Sequence, residues 1–249
     1  MFALAGGTPM DIGTYLISLG VVAIAGFTRG FSGFGSGLIL APALSLLFNP
    51  QLVVATILLI DMTAGAGVVP GAVRKTKWQQ VLPLVVSAVV MVPVGAHFLA
   101  LLDPTLLRRI IGGLILGFVL LLLSGKSRYT HPRLVLSAGV GALSGFLTGL
   151  AGIGGPPIVL YQMSSSNLAA ANRANFIVFF ALIQIIALGS YWASGLISIA
   201  VGGLFIRFLP AFFLGQLLGQ LCFKRVDETL FRHFVMGLLL TVAVLALVA

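Results

Sequence analysis

Three ionisable side chains fall inside apolar sequence: Arg29, Asp61 and Arg207. Asp61 is the tenth residue of the apolar stretch Leu52–Val73, and Arg207 stands about twelve residues into a stretch that begins at Leu196. A charge in hydrocarbon costs on the order of 3 kcal/mol or more, so such groups are functional by default. Two guanidinium groups against one carboxylate leave surplus positive charge, which suits an anion site. Asp61 has two readings, a proton carrier during transport or a structural partner for an arginine. Short neutral donors accompany the charges. Thr56 and Asn175 occupy matching positions in the two halves of the chain, and Ser32 and Ser36 lie in a glycine-rich run. Hydroxyl and amide groups can donate to substrate oxygens. A serine in a helix can equally bond back to its own backbone. No Ser–His–Asp set or nucleophile–base pair suggests an enzyme. No His/Cys/Asp/Glu spacing suits a metal, and no cofactor is implied.

The backbone that would position these groups is repeated. Gly26-Phe27-x-x-Gly30-x-x-Gly33-x-Gly35 recurs 119 residues later as Gly145-Phe146-x-x-Gly149-x-x-Gly152-x-Gly154. Each glycine costs about 1 kcal/mol in a helix relative to alanine, so such a run predicts opened backbone. At membrane depth that is tolerated only where protein buries it or where it lines a cavity. A short apolar segment follows each copy, Ser36–Phe48 and Pro156–Met163. Each would start as a half-helix with free N–H groups and a positive dipole end. Pro156-Pro157 suits a first turn, where no N–H is needed. Two such ends facing each other near the bilayer midplane would hold an anion, on the N–H groups of Gly33, Gly35, Gly37, Gly152, Gly154 and Gly155. The competing reading is packing, since small-xxx-small patterns let membrane helices touch with no ligand involved. A dinucleotide fingerprint is excluded, because neither a βαβ context nor a downstream acidic residue accompanies the glycines.

The chain has 249 residues, 59% hydrophobic and only 8% charged. Its mean hydropathy is +1.18. That composition belongs to a polytopic membrane protein. The net charge of +9 sits in short connections between apolar segments, so it speaks for membrane orientation and not for a nucleic-acid partner. A single cysteine, Cys222, excludes an internal disulfide and a cysteine-based metal site. Met1–Asp11 has no basic n-region, so no cleaved signal peptide is expected.

Apolar segments run Ile12–Phe27, Phe34–Phe48, Leu52–Val73, Trp78–Leu102 and Leu106–Ser124, then Leu134–Leu150, Pro156–Met163, Arg173–Trp192, Leu196–Phe223 and Leu230–Ala249. The ends of the halves also match, Asp103-x-Thr105-Leu106-x-Arg108 with Asp227-x-Thr229-Leu230-x-Arg232. The expected fold is therefore an all-α, polytopic membrane domain of two repeats, residues 1–125 and 126–249, each a broken half-helix pair plus three transmembrane helices. A broken pair returns to its starting side and three spans do not, so the second repeat is inverted. With both termini outside, ten of the 14 Lys/Arg fall on the cytoplasmic side.

The duplicated glycine motif, each copy followed by a short apolar segment and then by Ala55-Thr56 or Ala174-Asn175, resembles the TauE/SafE family, also called TSUP, over essentially the whole chain. The resemblance implies a secondary transporter in the bacterial inner membrane. Its expected substrates are sulfite, organosulfonates and related small sulfur anions. In the second copy Pro156-Pro157 replaces Gly37-Leu38 and Asn175 replaces Thr56, so the two half-sites are not chemically equivalent. Export is preferred on physical grounds, because an inside-negative membrane expels anions by about 2.3 kcal/mol per charge per 100 mV. The expected partners are a small anion, the lipid bilayer and protons as a candidate coupling ion. Two alternatives stay open: a transporter of small organic carboxylates, and a non-transporting scaffold or complex subunit whose glycines serve packing.

Overall fold

The computed structural model describes residues 2–3, 9–32, 35–123, 134–163, 169–222, 237, 240–241 and 244–246. The described chain is helical apart from two two-residue strands, β1 (Phe2–Ala3) and β2 (Pro9–Met10), which pair antiparallel. Ten helices follow among the described residues: α1 (Ile12–Ser32), α2 (Ser36–Ser45), α3 (Pro50–Ala66), α4 (Val69–Val73), α5 (Trp78–Leu101), α6 (Pro104–Leu123), α7 (Leu134–Ala151), α8 (Gly155–Met163), α9 (Ala169–Ala193) and α10 (Ile199–Cys222). Five of them, α1, α5, α7, α9 and α10, are long and apolar enough to cross a membrane. Their exposed sides keep Leu, Ile, Val and Phe, for instance Leu16, Val86, Ile206 and Leu217. In water such faces would be a liability, whereas in hydrocarbon they are the solvated surface.

Two sequence expectations change. The stretch Leu52–Val73 is not one span. α3 ends at Ala66, Val68 N–H donates to Gly65 C=O across a turn, and α4 begins anew. Gly65 and Gly67 weaken the helix there, and Pro70, in the first turn of α4, is placed where a helix starts and not where one continues. The glycine motif is not opened throughout either. α1 runs unbroken through Gly26 and Gly30, and α7 through Gly145 and Gly149. The terminal span Leu230–Ala249, most of its residues, and the connections 124–133, 164–168 and 223–236 lie outside the described residues, as does Gly33.

The chain forms two compact units, each assembled from non-contiguous segments of both sequence halves. Unit 1 comprises Met1–Ile60, Leu102–Leu123 and Ile197–Ala249. Unit 2 comprises Asp61–Leu101 and Ser124–Leu196. In unit 1, α1 packs along α10. A Cβ added at Gly26 or Gly30 would meet the carbonyls of Phe212 or Gln216, and one at Gly215 or Gly219 would meet those of Ala23 or Phe27. In unit 2, α7 packs along α5 in the same manner. Gly141, Gly145 and Gly149 face the backbone of Leu84, Ala88 and Val92, and Gly95 faces Phe146. Helices this close touch backbone to backbone, where dispersion and weak Cα–H···O contacts replace side-chain interdigitation. These glycines persist in helices because packing recovers what propensity loses.

Candidate functional site

Each helix break is built differently. In unit 1, α1 ends at Ser32 and α2 starts at Ser36, behind Gly35 in a left-handed conformation with φ 94°. A side chain at Gly35 would carry the strain of that region. All ten residues of α2 are buried and no side chain caps its start. An uncapped, buried helix start offers N–H donors and a positive partial charge. Arg29, from the last turn of α1, lies beside it, its Nη1 donating to Ser36 Oγ at 3.2 Å. Guanidinium and helix N-terminus are both positive, so their juxtaposition is favoured by an anion. Thr28 Oγ1 donates to Ile24 C=O, one turn back.

In unit 2 the break carries no charge. α7 ends at Ala151, and Gly152 (φ 69°) turns the chain. Gly152 N–H donates to Thr148 C=O at 3.0 Å, the bond of a left-handed helix cap. Ile153 N–H donates to Leu147 C=O at 3.3 Å. In a continuing helix Ile153 would have served Gly149 C=O. That carbonyl instead accepts from Tyr191 OH of α9 at 2.8 Å, and the same hydroxyl lies 3.2 Å from Thr148 C=O. Ser144 Oγ donates across the break to Gly154 C=O at 2.6 Å, and Thr148 Oγ1 donates to Ser144 C=O at 2.8 Å. A Cβ at Gly154 would meet Thr148 Oγ1 and Ser144 C=O, so this turn admits only glycine. α8 then starts with Gly155, Pro156 and Pro157, two of which lack an N–H.

The remaining candidates are dispersed. Thr56, in α3, is 1% exposed, and its Oγ1 donates to Leu52 C=O at 2.7 Å. Asn175, in α9, is also 1% exposed. Its Oδ1 accepts from Lys77 N–H at 2.9 Å and its Nδ2 faces Gln80 Oε1 at 3.4 Å. This amide clasps the start of α5, and Thr76 Oγ1 reaches Ala174 C=O beside it. Arg29 and Arg207 belong to unit 1, where Arg207 is half-buried in α10. Asp61, buried near the end of α3, falls to unit 2. Ser32 is the last residue of α1.

Three residues of the second break were not singled out by their sequence: Ser144, Thr148 and Tyr191. Two of them had a signal. At the repeat offset Ser144 stands where the first copy has Ala25, and Thr148 where it has Arg29. Polar letters at departures from a repeat mark where the copies diverge in role. Tyr191 had none, since it lies 42 residues from the carbonyl it serves.

Duplicated helix breaks among apolar helices are a feature that many transporters share. The model of the family described as "Sulfite exporter TauE/SafE" matches residues 18–246. The chain belongs to the TauE/SafE family. The match covers both glycine motifs and both units' principal helices, so this TauE/SafE protein is a membrane protein of a transporter family over nearly its whole length. No curated protein and no solved structure matches it significantly.

Proposed function

We propose that this protein exports sulfite, or another small sulfur oxyanion or organosulfonate, across the bacterial inner membrane. The observation that carries the reading is the first break: an uncapped helix start, wholly buried, with Arg29 bonded to its first residue. Together with family membership, this supports a half-site that reads negative charge. Arg29 supplies the field, with Ser36 and the N–H groups of Gly35 and Gly37 as donors, and Ser32 and Gly33 are further candidates from the same sequence motif. Arg207 in α10 adds to the positive field of the same unit. The second motif supplies a neutral half-site, in which Gly152, Gly154 and Gly155 offer backbone. Thr56 and Asn175 hold the spans that follow the two breaks. Asp61 is the proton-coupling candidate, both termini are outside, and the protein is not an enzyme.

The test is flux of sulfite in proteoliposomes, with sulfate, thiosulfate, taurine, sulfoacetate, acetate and lactate as competitors. Saturable sulfite flux that acetate and lactate leave untouched supports the proposal. Competition by carboxylates alone moves the substrate to that class. Folded protein that moves none of these anions leaves the scaffold reading standing.

A further inference from the structure

We infer that Tyr191 is a positioning residue for the second half-site, acting through the carbonyls of α7 and not by touching the substrate. The inference rests on the transport reading above.

The physical need is specific. Turning the chain at Gly152 takes Ile153 N–H away from Gly149 C=O and sends it to Leu147 C=O. Gly149 C=O is left at a buried helix end, where an unpaired carbonyl is costly. Tyr191 OH meets it at 2.8 Å. A phenol has one proton, so the 3.2 Å approach to Thr148 C=O is the weaker branch of a shared bond. Thr148 C=O already has Gly152 N–H. The hydroxyl therefore goes to the carbonyl that the break orphans.

The side chain is itself held from two directions. It is fully buried. Its backbone sits in the last turn of α9, where Leu196 N–H donates to Tyr191 C=O at 2.9 Å and Gly195 N–H to Trp192 C=O at 3.1 Å. With Gly195 at φ 69° this is a Schellman ending, which fixes the backbone that carries the ring. Across the break, Ser144 Oγ pins Gly154 C=O at 2.6 Å. One hydroxyl thus holds the helix side of the break and another holds the far side. Between them they set where the N–H groups of Gly154 and Gly155 point. A donor displaced by a fraction of an ångström loses affinity while leaving the fold standing.

The experiment is the concentration dependence of sulfite flux by Tyr191→Phe, normalised to folded protein, beside backbone hydrogen exchange on the same sample. The expected result is a KM raised on the order of tenfold, the worth of about one net hydrogen bond to a positioned group, with the maximal rate within about twofold. Faster exchange should be confined to the last turn of α7 and Gly152–Gly155. An unchanged KM in folded protein overturns the inference, because a merely structural tyrosine would lower stability and leave KM alone. If Tyr191→Phe does not fold, Ser144→Ala is read in its place, with the same KM direction expected and an unchanged KM decisive against. Failure of the transport reading looks different: the wild-type protein moves no sulfite at all. The exchange pattern then decides the positioning role alone, and faster exchange spread evenly over α7 and α9 refutes it.

Discussion

The two helix breaks occupy the same place in a repeated sequence and are stabilised by opposite means. The first has a cation, a hydroxyl and an uncapped helix start. The second has no charge, two prolines at its helix start, and a ladder of hydroxyls bonded to carbonyls. At one aligned position the difference is a single exchange, Arg29 against Thr148. Arginine can only donate and carries charge over a long reach, whereas threonine in a helix bonds its own preceding turn. Duplication supplied two copies of one backbone device. Divergence then left one copy with a cation at its helix start and the other with neutral hydroxyls bonded to carbonyls.

The largest effects should come where the copies remain alike. Gly30→Val and Gly145→Val each drive a side chain into backbone of the facing helix. Both should abolish folded protein on a size-exclusion trace, since overpacking against backbone exceeds the usual 1–3 kcal/mol or so of a core insertion. Gly117→Ala and Gly139→Ala, where an added Cβ meets nothing, should be silent in the same trace. Equal tolerance at all four positions would remove packing as the reason for the motif's first two glycines.

Where the copies differ, Arg29→Gln should cut sulfite flux by roughly ten- to hundredfold, the range of a charged hydrogen bond. Thr148→Val should change flux by less than about threefold, because its hydroxyl serves only its own helix. The reverse order would transfer the charge-reading role away from the first break.

Stability separates the copies more gently. Gly35→Ala and Gly152→Ala should each cost about 1–2 kcal/mol for the left-handed backbone. Asn175→Leu should cost a similar 1–3 kcal/mol or so by removing the buried oxygen that accepts from Lys77 N–H. Thermal denaturation in detergent measures all three. The smallest effect is expected of Thr56→Val, whose lost hydroxyl was bonded to Leu52 C=O. A change in flux beyond about twofold there would place Thr56 at the substrate, because a helix back-bond contributes little.

Much of this arrangement was legible in the chain. Short helices after each motif, with α8 starting at Gly155 beside Pro156-Pro157, follow from proline and repeat spacing. The spans α5, α7 and α10 end within a few residues of their apolar runs. What could not be read was the division of labour among glycines. Gly26, Gly30, Gly145 and Gly149 admit a neighbouring backbone, while Gly35 and Gly152 adopt positive φ. The letter is the same in both uses, and only the facing helix distinguishes them. Asn175 illustrates the same limit. Its position in the repeat suggested a donor to substrate, and nothing local showed that its oxygen also accepts from an N–H 98 residues away. Contacts at that range depend on tertiary packing, which local pattern does not encode. The break at Gly65–Gly67 was legible in principle, but the apolar run masked it.

The most direct test is the thermal shift produced by sulfite on purified wild type, Arg29→Gln and Thr148→Val in detergent. A ligand that binds the folded state raises its stability with concentration. The account predicts a concentration-dependent rise for wild type and Thr148→Val, and none for Arg29→Gln. A rise that survives in Arg29→Gln and disappears in Thr148→Val would contradict it.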